Sequence, residues 1–386
     1  MKPYQLLLIS AFLLMQSTVF AQGKVDKFSQ MYDLLATPNV YRNASGAPGH
    51  AYWQQQADYQ INLRLEDETQ RVYGEETITY HNNSPDPLPY LWIQLDQNMR
   101  AKDSDTYTTR TGNIEDKMSA QQLQSLDPWF DGGFKLEYVK DGAGKDVSYT
   151  VVKTMMRVDL AQTLAPGASV QLKIKWWYNI NDRMKIGGRS GYEYFEEDGN
   201  YLYTIAQFFP RMAVYCDNEG WQNKQFLGAG EFTLPFGNYD VKITVPSDHK
   251  VAATGVLQNA KEVLNKDEFA RFEQAKKERN NPVIIVTEDE ARENEKEKST
   301  DTKTWHFKAT NVRDFAFASS RKFIWDAMGV EQADGSVVMA MSMYPKEGNP
   351  LWEQYSTKVV AHTLKWYSHF TFPILIQWRG LSMQMP

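Results

Sequence analysis

The sequence has little of several features that would point to a particular chemistry. Only one of its 386 residues, Cys216, is a cysteine, which excludes an internal disulfide and a thiolate metal cluster. An excess of positive charge is also lacking, because 42 lysines and arginines are outnumbered by 48 aspartates and glutamates. The resulting net charge of −6 gives no broad cationic field, so we expect neither a nucleic acid nor an anionic membrane surface as a partner.

Motifs of common enzyme sites are missing too. The sequence contains no H-E-x-x-H zinc motif, no G-x-S-x-G nucleophile elbow and no Gly-rich phosphate loop. On a helix, His362 and His369 would be separated by about 10 Å along the axis, too far for one ion to bridge comfortably. Glu193, Glu196 and Glu197 are interpreted as a solvated loop rather than paired catalytic carboxylates. We therefore predict no catalytic residue and no metal ligand in this chain.

The first residues have the composition of a secretory signal peptide. Lys2 precedes an apolar run over residues 6–15 that is too short to span a bilayer, and Val19 and Ala21 suit a signal-peptidase site. We expect cleavage after Ala21 and export to the periplasm or the medium. No later run approaches membrane-spanning length, so we predict no membrane span in the mature chain.

Segments of alternating polar and apolar residues dominate from Tyr52 to about residue 309. Residues 59–65 and 76–80 show this period of two, and further runs rich in aromatic and β-branched residues follow. Because no amphipathic helices are interleaved with these runs, the pattern predicts a mostly β fold with antiparallel sheets packed as a sandwich. The polar residues 101–128 are predicted to be a surface excursion with a short helix.

Residues 261–300 are highly charged, with 20 charged side chains among 40 residues. They predict a helical insertion that projects from the sandwich, with one apolar face formed by Phe269, Phe272 and Ala275.

Beyond residue 310 the pattern changes again, which favours a second domain. An amphipathic helix is predicted from Asn349 to about His369, and the spacing of its apolar face follows Leu351, Tyr355, Val359, Thr363 and Trp366. We expect apolar surface near Trp366, Tyr367 and Phe370 to be uncovered, since little of the chain remains to pack against it.

Several segments together resemble the aminopeptidase N family of zinc metallopeptidases (gluzincins), in its bacterial exported branch. These segments are YWQQQADY and YLWIQLDQN near the start, QFFPRMAVY followed by GWQ, GEF and YDVKITVP in the middle, and DFAFASS after residue 313. The resemblance extends from Tyr52 to about Pro373. It implies a saddle-like antiparallel β-sandwich followed by an α-rich, thermolysin-like domain.

The resemblance also implies a domain plan. Residues 1–21 would be the signal peptide and 22–51 a lead-in. Residues 52–310 would form the sandwich with its charged insertion 261–300, and 311–386 the truncated start of the catalytic domain. In the family the zinc ligands and the general base lie beyond the position of His369, and this sequence has none there. We therefore expect an N-terminal fragment that ends before the zinc site.

Complete relatives would use zinc to hydrolyse N-terminal residues from peptides with a free N-terminus. For this chain we expect no zinc. Gln207 is the candidate residue for contact with the peptide N-terminus, although its amide would equally suit a turn or a sheet edge. The alternative function is a non-catalytic periplasmic β-sandwich module that binds peptides or serves as a scaffold.

Overall fold

The computed structural model describes residues 38–109, 116–126, 130–228, 230, 233–296, 298–332 and 334–370. The expected signal peptide and residues 374–386 lie outside the described residues. The described residues fall into two units, 38–52 and those from Trp53 onward. In the first, the side chain of Asn43 accepts hydrogen bonds from the main chain of Ser45 and Ala47, which closes a turn between the bridged residues Arg42 and Pro48.

The second unit is mostly β, as predicted. Its described strands are, in chain order, β1 (Gln56–Glu66), β2 (Arg71–His81), β3 (Leu88–Gln94), β4 (Lys135–Asp141), β5 (Ser148–Val152), β6 (Met155–Leu164), β7 (Ser169–Asn179), β8 (Gly191–Phe195), β9 (Asn200–Ile205), β10 (Arg211–Met212), β11 (Tyr215–Cys216), β12 (Gly220–Trp221), β13 (Gly237–Pro246), β14 (Lys250–Ala253), β15 (Val256–Leu257), β16 (Val283–Val286), β17 (Thr302–Val312), β18 (Phe317–Ser320), β19 (Ile324–Glu331) and β20 (Val337–Tyr344).

Helices are the minority. They are α1 (Asp105–Thr109), α2 (Ala120–Leu126), α3 (Arg183–Ile186), α4 (Ala260–Val263), α5 (Lys266–Ala275), α6 (Glu288–Lys296) and α7 (Leu351–Phe370), with 3-10 turns at Asp96–Arg100 and Lys346–Gly348. The short helices α1 and α2 lie in the polar excursion. Within the described ranges, no helix combines the length and the apolar character that crossing a bilayer requires.

The largest sheet has seven strands in the order β15-β17-β13-β1-β2-β7-β4. Its strands β1 and β2 alternate between buried and half-buried or exposed residues, as the period of two predicts. One feature of the prediction is wrong, because β1 and β13 pair in parallel, with Tyr59 opposite Tyr239. A parallel pair requires a long crossover connection, and here the chain from β2 to β12 supplies it.

Three further sheets of three or four strands surround the same core. Their orders are β10-β3-β6-β5, β14-β18-β9-β8 and β16-β19-β20. At the centre, Trp176 lies directly over Gly74, where a Cβ atom would be only 2.4 Å from the indole ring. Glycine is therefore required at this position. The indole Nε1 of Trp176 donates to the carbonyl oxygen of Phe208 at 3.0 Å, which fixes the segment between β9 and β10 to the large sheet.

The charged segment 261–300 packs against the sheets, so the prediction that it projects is wrong. Helix α5 begins at a capping box formed by Asn265 and Glu268, and it buries Phe272 and Ala275. The predicted apolar face is correct, since Phe269 also packs against the core. Strand β16 then pairs antiparallel with β19. The high charge of the segment indicates that its outer face is solvated. It does not show that the apolar inner face packs against a sheet.

Helix α7 occurs where the sequence predicts it, but its face is reversed. Leu351, Tyr355 and Val359 are exposed, whereas Thr357 and Leu364 are buried. The hydroxyl of Thr357 donates to that of Ser342 on β20 at 2.8 Å. Leu364, with Val360 and Ala361, packs against apolar residues of β19 and β20, so the opposite apolar face is left in solvent. That this helix opens a thermolysin-like domain, and that the boundary lies near residue 310, stay predictions.

Candidate functional site

The predicted site residue Gln207 lies in the segment that joins β9 to β10. Its backbone is left-handed, with φ of 54°. This conformation is unfavourable for a residue with a Cβ atom, by roughly 1–2 kcal/mol. The residue is half-buried, and its side-chain amide has no hydrogen-bond partner among the described residues. The segment therefore holds a partly solvent-accessible polar side chain on a left-handed backbone.

Side chains of the core fix the backbone on the N-terminal side of Gln207. The amide Nε2 of Gln97 donates to the carbonyl oxygens of Ala206 at 3.3 Å and Gln207 at 3.0 Å. Gln97 is itself oriented by Arg100, whose Nη1 donates to Oε1 at 3.0 Å. Ser190 accepts a hydrogen bond from the main-chain N–H of Ala206 at 3.1 Å. These contacts, made by buried residues, explain how the left-handed conformation is held.

An ion cluster fixes the C-terminal side. The guanidinium of Arg211 contacts Asp96 at 2.9 Å and Asp314 at 2.6 Å. Burial opposes the charge of Arg211, but the two carboxylates together raise its pKa above the ordinary value. Burial raises the pKa of Asp96, and Arg211 partly offsets that effect. Next to it, the hydroxyl of Tyr59 accepts the N–H of Met212 at 2.9 Å.

A buried carboxyl group lies in the same core. Glu76 faces inward from β2, and neither of its side-chain oxygens has a hydrogen-bond partner among the described residues. Burial raises its pKa well above the ordinary value. Sequence reasoning missed this residue. The sequence does contain a signal for it, because the alternation of β2 places Glu76 on the same face as the inward-facing Ile78 and Tyr80.

The other polar candidates stay apart from this segment. Glu196 and Glu197 are exposed in the turn between β8 and β9, as the loop interpretation predicts, but that interpretation is wrong for Glu193, which lies half-buried in strand β8. The rings of His362 and His369 both flank Trp366, with centroids 5.8 Å from its ring. The described part of the chain brings together no group of three histidine, cysteine, aspartate or glutamate side chains suited to a metal ion.

No protein-family model matches the chain, and no curated protein matches it. Among solved structures, a two-domain M1 zinc metallopeptidase variant bound to L-tryptophan aligns with 12% identity and a TM-score of 0.46 over 86% of this chain. The M1 zinc metallopeptidase of Deinococcus radiodurans aligns with 13% identity and a TM-score of 0.45 over 86% of this chain.

The alignment also covers only part of each of these solved structures. This chain covers 57% of the first of those structures and 56% of the second, a little more than half of their length. At this level of similarity, no activity and no residue role of those structures is assigned to this chain.

Proposed function

We propose that this chain forms the N-terminal β domain of an exported zinc metallo-aminopeptidase of the aminopeptidase N type, and that it contributes peptide binding. The resemblance of several sequence segments to that family supports the proposal, and so does a mostly β fold that continues into helix α7. Hydrolysis would require zinc ligands of the H-E-x-x-H kind, which these 386 residues do not contain. Bound zinc would polarise the scissile carbonyl in a complete protein.

The conformation of Gln207 is the observation that carries this proposal. A non-glycine residue in the left-handed region persists only where its surroundings enforce it, and such residues cluster at ligand-binding positions. The Gln207 amide oxygen can accept a hydrogen bond from the ammonium group of a peptide N-terminus, a charge-assisted bond stronger than a neutral one. The neighbouring hydrogen bonds hold the main chain, so the side chain is free for that contact.

Calorimetric titration with a short peptide tests this role. We expect the full chain to bind a peptide with a free N-terminus, and acetylation of that terminus to weaken binding about tenfold. Gln207→Ala should cause the same loss and make binding insensitive to acetylation. Gln70→Ala is the matched control, because Gln70 is also left-handed, with φ of 50°, but lies between β1 and β2. Equal binding by Gln207→Ala and the unmodified protein would refute the role of Gln207.

A second candidate function is peptide binding at a sheet edge without any catalytic partner. Strand β5 is the outer strand of its sheet, and all five of its residues are exposed. It carries no charge or proline that would discourage further pairing. An extended peptide could add to this edge. Such binding should be indifferent to N-terminal acetylation and sensitive to Val151→Lys, which distinguishes it from the Gln207 proposal.

Export is also part of the proposal. It is supported by the charged start, the apolar run and the small residues before Gln22. Mass spectrometry of the protein from an exporting host should give a mature chain that begins at Gln22. Soluble protein that retains Met1 would contradict this.

A further inference from the structure

A cavity of about 320 Å³ lies where helix α5 covers the junction of three sheets. Helix α5 closes one side of the cavity. The other walls include residues of β14, β15, β17, β18, β19 and β20. Its size falls at the lower end of small-molecule binding sites, which are commonly about 300–1,000 Å³. The cavity belongs to the second unit and lacks every residue of the Gln207 segment.

The walls are predominantly apolar and include several aromatic and thioether side chains. The residues that define them are Phe269, Phe272, Phe307, Trp325, Met341 and Met343. Methionine side chains adapt to irregular shapes, and aromatic rings give large, rigid contact surfaces. These walls suit the body of an aliphatic or aromatic ligand.

The polar groups of the cavity are mostly donors. Trp325 is 2% exposed, and its indole N–H has no partner among the described residues. A buried donor left without a partner is unfavourable. Lys261 and Lys276 also line the cavity, against one acidic residue, Glu273, whose carboxylate already contacts the ammonium of Lys276 at 2.5 Å. Lys261 and Lys276 therefore outnumber the one carboxylate, Glu273, which is already paired with Lys276, and Gln258 adds a neutral amide.

We propose that this cavity binds a small carboxylic acid with an apolar body. An ionised carboxylate is purely an acceptor, so its oxygens can use the donors of Trp325 and the lysines without leaving a proton unpaired. The apolar body replaces water along the aromatic and methionine walls. An ammonium ligand would be repelled by Lys261 and Lys276, and the one carboxylate of the lining, Glu273, is already paired with Lys276. An alcohol of the same length would gain the apolar contacts but not the charge-assisted bonds.

Titration calorimetry with three ligands of one chain length tests the proposal. We expect octanoate to bind at one site, octanol to bind about tenfold more weakly, and octylammonium not to bind. Octanol binding as tightly as octanoate would overturn the assignment of an anionic ligand. Absence of binding by octanoate would overturn the site itself.

Variants locate the binding within the protein. Met341→Trp should fill the cavity and abolish octanoate binding, whereas Met184→Trp, at a side chain exposed on the surface, should leave it unchanged. Trp325→Phe keeps the apolar wall and removes the donor, so we expect binding to weaken about tenfold. This second variant tests the site even if overpacking prevents Met341→Trp from folding. Octanoate affinity unchanged in Trp325→Phe would contradict the proposal.

Discussion

Arg211 and Asp96 form a buried ion pair in which Nε and Nη2 of Arg211 lie 3.0 and 2.9 Å from the same carboxylate oxygen. The two residues are only 5% and 1% exposed. Asp96 follows β3, and Arg211 is the first residue of β10. The ion pair therefore fixes the backbone after Gln207 to the four-stranded sheet β10-β3-β6-β5. The position of the candidate binding residue thus depends on a charge interaction that water does not screen.

Removal of Arg211 should therefore be costly. Arg211→Met leaves the buried carboxylate of Asp96 without its partner, and we expect a loss of about 3–5 kcal/mol in the free energy of unfolding. Arg157→Met is the matched control, because the pair of Arg157 and Asp159 is 2.9 Å long but exposed. Its loss should stay below about 1 kcal/mol. Urea denaturation measures both, and equal losses would contradict the role of the buried pair.

Lys322 holds together parts of the chain that are distant in sequence. Its ammonium is 0% exposed and contacts Asp198, Glu295 at 3.1 Å and Glu347 at 2.9 Å. Lys346 contacts the same three carboxylates, but its side chain is 15% exposed. We expect Lys322→Met to cost about 3 kcal/mol and Lys346→Met about 1 kcal/mol in the free energy of unfolding. A larger loss for Lys346→Met in urea denaturation would show that burial does not rank the two lysines.

Acid should destabilise the protein partly through Asp67. Burial raises the pKa of this carboxyl, but His249 and Arg321, whose Nη2 is 2.8 Å away, lower it to about 2. A lowered pKa contributes stability above the unfolded value of 3.8, and this contribution is lost as the pH falls toward 2. It amounts to ~2 kcal/mol. Stability measured between pH 5 and pH 2 should fall less steeply in Asp67→Asn, and an unchanged slope would contradict this account.

The exposed face of α7 should promote self-association. As expected, Tyr367 and Phe370 are uncovered, with 63% and 74% of their surface exposed. Tyr367→Lys and Phe370→Glu should reduce association in sedimentation velocity without lowering the melting temperature. Leu364→Lys is the opposite case, because Leu364 packs against β19 and β20, and we expect it to lower stability by about 3 kcal/mol. Unchanged association in the two surface variants would place the contact elsewhere.

The sequence predicts the local elements better than their long-range arrangement. Alternation in β1 and β2 and the period of α5 and α7 are local properties, so these elements were predictable. The parallel pairing of Tyr59 with Tyr239 depends on a crossover between remote segments, and no short pattern encodes it. The reversed face of α7 has a related cause, because periodicity identifies a face but not the surface that covers it.

For the candidate site, the sequence predicts which residue to consider but not its conformation or its surroundings. Gln207 was found by resemblance, while its left-handed backbone has no signal in the sequence, since glutamine has no special preference for that region. The surrounding contacts with Gln97 and Arg211 arise from the tertiary fold. Glu76 is different, because its place in an alternating strand already indicated an inward-facing carboxyl group.

Zinc content and turnover test most directly whether this chain supplies binding rather than hydrolysis. Residues 22–386 would be purified, their zinc measured by elemental analysis, and release of alanine and lysine from chromogenic amides followed with and without a chelator. The chain has no H-E-x-x-H, and His362 and His369 are too far apart on α7 to bind one ion. We therefore predict no stoichiometric zinc and no chelator-sensitive turnover. Stoichiometric zinc with turnover that a chelator abolishes would contradict the account.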